Sequence, residues 1–305
     1  MKRLLTTISS AAFVGALTLS LAGGATAAPG FPHTIVLPGA NSTEGIATGG
    51  GSTFYAGELF TGDIFRGDLQ TGAVTRWIDA PAGRMATGIR VDRADDLLFV
   101  AGAATGHGFV YDLSTGAPIA DVALAAGHFI NDVIVSDGAA WFTDSNAPNL
   151  YRLAITGRGS VGGFTTLALS GPAAATPGGF NLNGIAATGD GTLLVAHTAN
   201  GTVYTVDPAT GASASIDGAD LPNVDGILFE AGRLWAVRNV DNTIVELRLS
   251  GDRSSATIVD TITDSAFEVP TTVARWGDRL AVVNAKFDTG FPPTASTYEV
   301  VEVTR

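Results

Sequence analysis

From residue 28 onward the hydrophobic pattern is one unit repeated: a short apolar, β-branched strand, a turn built on Gly or Asp, and a second apolar strand. Six copies align: "TEGIATGGGSTFYAGE", "ATGIRVDRADDLLFVAGA", "NDVIVSDGAAWFTDSN", "LNGIAATGDGTLLVAHTA", "VDGILFEAGRLWAVRN" and "TTVARWGDRLAVVNAK". With Gly45, Gly88, Val133, Gly184, Gly226 and Val273 taken as equivalent, the copies follow at intervals of 42 to 51 residues, a period that marks propeller blades. Third strands follow in "GDIFRGDLQTG", "GFVYDLSTG", "NLYRLAITG" and "GTVYTVDPATG", and fourth strands in "VTRWIDA", "PIADVAL", "FTTLALS" and "ATIVDTI". The pattern predicts an all-β fold, a six-bladed β-propeller of four-stranded antiparallel blades, as one domain over residues 28–305. Each blade of such a ring is covered on both faces, so its inner strands read as apolar runs with weak alternation. "HTIVLPG" and "TYEVVEVTR", at the two ends of the domain, are both strand-like and are expected to pair within one blade and close the ring. A stack of β-sandwiches is the alternative, but the period is unbroken and no Pro/Ser linker divides it. No helix longer than a turn or two is expected after residue 28.

The first residues have a different character. Met1-Lys2-Arg3 is a short basic start, the segment to about Leu21 is apolar, and Ala25-Thr26-Ala27 is a small-x-small cleavage site, so residues 1–27 read as a secretory signal peptide. A membrane anchor fits less well, because Thr and Ser break the apolar core and no stop-transfer flank follows. The expected location is therefore extracellular, with no membrane attachment after cleavage. The chain has no cysteine, which excludes disulfides, thiolate metal sites, cysteine nucleophiles and a lipid-modified cysteine. Its formal net charge of −12 becomes more negative once Lys2 and Arg3 leave with the leader, and a chain this acidic is a poor partner for nucleic acid. The 39 glycines suit tight turns better than helices.

Innermost strands of a propeller line a central channel, so equivalent positions converge around its axis. The position opening each inner strand carries Glu44, Thr87, Asp132, Asn183, Asp225 and Thr272, with Asn131 just behind Asp132. Each alone could be a turn former solvated at the channel mouth. As a ring, the carboxylates would repel one another, and their burial without a counter-ion is expensive. A divalent cation relieves both effects. Oxygen-only ligands suit Ca²⁺ first, with Mg²⁺, Mn²⁺ or Zn²⁺ possible.

These residues carry a resemblance. Glu44 in "TEGIA", Asn131 in "INDV", Asn183 in "LNGIA" and Asp225 in "VDGIL" match, in chain order, the metal-site pattern of the senescence marker protein, gluconolactonase and luciferin-regenerating enzyme superfamily of six-bladed propellers. The resemblance implies one divalent ion held by Glu44, Asn131, Asn183 and Asp225, and hydrolysis of lactones or related esters. It also implies a proton-transfer role for Asp225, with Asp132 the second candidate. Val133, Ile46 and Val224 depart from the gluconolactonase pattern, and "NDV…WFTDS" looks more like the paraoxonase and strictosidine-synthase-like branches.

The expected activity is thus an extracellular metal-dependent lactonase or esterase acting on a small molecule, as a monomer: the ion polarises the carbonyl and an Asp handles the proton. The alternative is a non-catalytic binding or scaffold propeller with a structural calcium ion, since one fold serves many functions. His107, His128 and His197 are open candidates for assisting deprotonation, and His33 reads as surface. Four scattered histidines without cysteine give no redox-metal motif. No G-x-S-x-G elbow is present, and "GGGS" at Gly49 to Ser52 connects strands rather than opening a helix, so it is no phosphate loop.

Overall fold

The computed structural model describes residues 30–305; the predicted leader over residues 1–27 lies outside them. Six four-stranded antiparallel sheets form a six-bladed β-propeller. Blades 1 to 5 occupy residues 43–78, 89–123, 130–168, 182–215 and 224–263, and blade 6 combines residues 270–304 with the strand Thr34–Val36. The innermost strands are Thr43–Thr48, Ile89–Asp92, Ile130–Ser136, Leu182–Ala187, Val224–Glu230 and Pro270–Trp276. Among the described residues the only helices are three 3-10 turns of three residues each, and no helix is long and apolar enough to cross a membrane.

The expected closure is present. Thr34, Ile35 and Val36 pair with Val301, Val300 and Glu299, so the strand Glu299–Thr304 lies between the first strand of the domain and Arg279–Asn284. Ile35 and Leu37 are buried with Phe54, Ala281 and Val300, and this seam joins the two ends of the domain. Two strands not named from the sequence complete the blades: Thr243–Leu249 in blade 5 and the three-residue Ser213–Ser215 in blade 4. The second is too short and polar to leave a hydrophobic signature.

Burial is arranged by seam rather than by blade. Leu194, Ala196 and Val203 of blade 4 pack on Val224, Leu234 and Val245 of blade 5, and Phe99 and Val110 of blade 2 pack on Phe142 and Leu153 of blade 3. Each of the six seams has such a cluster. This two-sided covering accounts for the continuous apolar runs of the middle strands, whereas the outer strand Ser160–Ala168 is mostly exposed.

Near the axis the inner strands meet backbone to backbone. A Cβ on Gly184 would stand 2.5 Å from the Asp225 carbonyl oxygen, and one on Gly226 would stand 2.7 Å from that of Thr271. Gly45 faces the Thr87 carbonyl just as closely, and Gly88 faces Asp132. Hydroxyls stitch the same seams: Thr143 Oγ1 donates to Asn183 O at 2.7 Å, Thr198 Oγ1 to Val224 O at 2.7 Å and Thr271 Oγ1 to Glu44 O at 2.7 Å.

Gly226→Ala should therefore lower the denaturation midpoint by the equivalent of about 1–3 kcal/mol, the usual range for forcing an extra carbon into a packed site. Gly163→Ala, with nothing within 4 Å of the added carbon, should change it little. Equal midpoints for the two variants in chemical denaturation would show that the axial contact does not constrain the fold.

Candidate metal and ligand site

Five inner strands break their pairing register just after they begin, between Thr43 and Ile46, Ile130 and Val133, Leu182 and Ile185, Val224 and Ile227, and Pro270 and Thr272. A bulge of this kind re-aims side chains. Here it brings Glu44, Asn131, Asn183 and Asp225 onto one cavity of about 240 Å³ at the end of the channel where the inner strands begin, with Thr87 and Thr198 beside them. All four are buried, at 6% exposure or less.

The register corrects the sequence alignment in two blades. Asn131 and Thr271, not Asp132 and Thr272, are level with Glu44. Asp132 stands where four other blades carry Gly45, Gly88, Gly184 and Gly226, and Thr272 takes the same place in blade 6. The signal was an acid followed by an apolar residue, which "DV" satisfies one position late, while the bulge counts from the strand. Asp132 lines a different cavity, at the opposite end of the inner strands. Its carboxylate accepts from the Val133 N–H at 2.7 Å and the Ile185 N–H at 3.0 Å.

Hydrogen-bond logic fixes the two carboxamides. Ser145 Oγ donates its one proton to Leu182 O, and Thr198 Oγ1 donates to Val224 O, so both hydroxyls can only accept from a further partner. The amide NH₂ groups of Asn131 and Asn183 therefore face them, at 2.9 and 3.0 Å, and the amide oxygens turn toward the cavity. Asn239 is fixed in the same way: its oxygen accepts from Val240 N–H at 2.7 Å and its NH₂ donates to Asp225 Oδ2 at 2.8 Å. Ser145, Thr198 and Asn239 were not singled out from the sequence, because their role exists only across a seam or a hairpin.

Burial, then the charges of Asp225 and Asp132, hold the Glu44 carboxyl well above its usual range. Asp225 is pushed up to about 7 by burial and by Asp132, against the amides of Asn239 and Asn183. Burial raises Asp132 to about 6, while the two N–H groups and the charge of Arg90 pull the other way. Two acids and two oriented amide oxygens thus converge in a buried site, and Glu44 Oε2 is buried with no hydrogen-bond partner. This donor set fits a hard, oxygen-seeking divalent cation: it supplies negative charge, and it supplies an acceptor that nothing in the protein satisfies. Among the described residues no group of three or more His, Cys, Asp or Glu side chains gathers as a metal cluster, so half of any set here is carboxamide.

The histidines are engaged elsewhere. His197 is fully buried, bonding Ala175 O through Nε2 and accepting Asn200 N–H at Nδ1. His128 pairs with Asp144 at 2.7 Å, His107 with Asp121 at 2.5 Å, and His33 with Asp264 at the surface. Above the oxygen donors the cavity wall is Leu59, Phe129, Phe180, Phe287 and Phe291. Phe129 and Phe180 meet edge to face at 5.0 Å, as do Phe287 and Phe291 at 5.6 Å. The sequence reading missed this aromatic wall. Its signal was the Phe two residues before Asn131 and three before Asn183.

Comparison with known protein families finds no match, and no curated protein sequence matches the chain. Solved structures do match over most of their length, at low sequence identity. The Malassezia sympodialis allergen Mala s 1 is 18% identical, with 90% of this chain and 96% of that one covered and a TM-score of 0.63. Regucalcin, a calcium-binding protein from Agrobacterium tumefaciens, is 19% identical over 90% of this chain and 95% of its own, with a TM-score of 0.61. Luciferin-regenerating enzyme is 16% identical over 87% and 92%, with a TM-score of 0.60. At these identities the likeness establishes the fold.

The raised carboxyls make the cation-free protein pH-sensitive. Unfolded Asp titrates near pH 3.9 and folded Asp225 near 7. Between those values the folded state holds a proton that the unfolded state has lost, so stability falls as pH rises. His197, held low by burial, contributes with the opposite sign up to about pH 6.5, and comparison with Asp225→Asn cancels it. In chelator, wild type should lose stability relative to that variant as pH rises from about 4 toward 7, by on the order of a few kcal/mol, with Glu44, which the Asp225 charge also raises, adding loss of the same sign. Parallel pH profiles in urea denaturation would contradict the electrostatics described.

Proposed function

We propose that this protein is a secreted, monomeric binding propeller that holds one divalent cation, calcium by preference, on Glu44, Asn131, Asn183 and Asp225 and seats a small apolar or aromatic molecule beside it. The observation that carries this reading is the partnerless buried Glu44 Oε2 among oriented oxygens, at the floor of a cavity walled by Phe129, Phe180, Phe287 and Phe291. An apolar ligand gains from the aromatic wall, whereas a polyhydroxylated sugar would leave hydroxyls unpaired against it. One similar propeller is a calcium-binding protein and another an enzyme, which supports keeping a catalytic reading beside the binding one.

That second reading is hydrolysis of a lactone or related ester, favoured by Asp225. Asp225 is a buried carboxylate on the same cavity, where it can act as a proton acceptor. When bound, the cation would polarise the ester carbonyl. Asn239 and Asn183 orient Asp225, and the phenylalanines limit access of bulk water. Asp132 is the less favourable base, because its oxygens are committed to backbone N–H groups and it faces the other cavity.

Protein purified without chelator should carry about one equivalent of calcium by elemental analysis, on the single-site geometry, and Glu44→Gln should lose most of it. Phe291→Ala, at a 61% exposed side chain, should weaken binding of a neutral aromatic probe such as Nile red about tenfold, the effect of losing an aromatic anchor, without lowering Tm. Full calcium occupancy in Glu44→Gln, or an unchanged probe affinity, would overturn the site. For hydrolysis, a panel of aryl esters and alkyl lactones decides. Calcium-dependent turnover that falls roughly a hundredfold or more in Asp225→Asn supports the enzyme, and no turnover at full calcium occupancy leaves the binding propeller.

A further inference from the structure

The second cavity, of about 410 Å³, opens where the inner strands end. It shares no lining residue with the first. Its wall repeats with the blades: Ile46, Ile89, Val133, Ile185, Ile227 and Val273, one β-branched residue from each inner strand, form an aliphatic girdle beyond the tier of glycines and Asp132. The volume is that of a small-molecule pocket; the six aliphatic side chains offer contact to an apolar body, while more of the wall is polar than apolar.

Four charged side chains also face this space: Arg90, Asp132, Glu230 and Arg275. Three are already engaged. Asp132 accepts the N–H groups of Val133 and Ile185. Arg275 pairs with Glu230 and donates to Gly277 O at 2.7 Å. Arg90, from the inner strand of blade 2, is different. Among the described residues its guanidinium makes no hydrogen bond, no ion pair and no stacking contact with an aromatic ring. Burial is the main influence on it, with Asp132 and Asp92 acting only at a distance. Its donors are reached from the cavity and are committed to no protein group, so they are free to take an acceptor on a ligand.

We infer that this far end of the channel is a second binding site, for a small organic carboxylate whose apolar body packs in the girdle and whose carboxylate pairs with Arg90. The guanidinium fork matches a carboxylate with two parallel hydrogen bonds. The two arginines and two acids facing the cavity already sum to zero charge, so a ligand bringing one negative charge for Arg90 is disfavoured less than one bringing two. A phosphate, with nearly twice the charge, would face Asp132 and Glu230 in the same cavity of an acidic protein. The site is independent of the cation and of the aromatic cavity.

Octanoate is the probe, titrated calorimetrically into the full chain in calcium-containing buffer, beside octanol and octyl phosphate. Octanoate should bind saturably at one site, at least tenfold tighter than octanol and tighter than octyl phosphate. Arg90→Gln should weaken octanoate at least tenfold, Arg90→Lys should retain part of the affinity, and Phe129→Ala with Phe291→Ala should leave it unchanged. Modification of wild-type Arg90 by phenylglyoxal, followed by mass spectrometry, should be slowed by octanoate, and this arm needs no variant to fold. Absence of saturable binding, equal affinity for octanol, tighter binding of octyl phosphate, loss of binding in the phenylalanine variant instead of at Arg90, or no protection of Arg90 would each overturn the proposal.

Discussion

Everything at the centre of this molecule depends on how closely six inner strands approach one another. Gly45, Gly88, Gly184 and Gly226 let each strand meet the next with no side chain between them, and seam hydroxyls from Thr143, Thr198 and Thr271 tie the neighbouring carbonyls. That approach narrows the channel and divides it into two chambers. It also brings each bulge to the axis, so the residue before each glycine is forced inward.

The same closeness explains the electrostatics. Glu44, Asp225 and Asp132 come from three different blades and are raised together because burial strips them of water and leaves them near one another. Asp132 and Thr272 are the exceptions to the glycine tier, and the position of Asp132 accounts for its partners. A side chain placed where four of the blades have none lies on the backbone of the next blade, and so it takes the Ile185 N–H. Its carboxylate therefore belongs to the seam more than to either cavity, while its charge is still felt by both.

The two chambers differ in chemistry because they sample different positions along the same strands. At the beginning of the strands the residues are oxygen donors, and the loops leading into them bring phenylalanines. Two positions later the residues are aliphatic in every blade, and the charged side chains come from the strand ends and the hairpins beyond. A repeat that varies little in backbone thus produces one ring of oxygen donors and one ring of aliphatic side chains.

The sequence by itself determined the blade count, the closing pair of strands and a ring of polar residues that includes Glu44, Asn183 and Asp225, with Asn131 joined to them through the family resemblance. These follow from local signals: apolar runs punctuated by turns at a constant period, and a polar residue at the head of each run. Only the tertiary structure decided that Asn131 and not Asp132 is level with the others, because a bulge changes the count between two paired strands and leaves the composition untouched. It alone decided which way the carboxamides point, since Ser145 and Thr198 orient them through protons already given to the next blade. The aromatic wall and the unmatched Arg90 were equally hidden: what surrounds a side chain at the axis is supplied by strands some 40 to 50 residues away, the spacing of the repeat itself, and closing the ring is the physical event that brings them together.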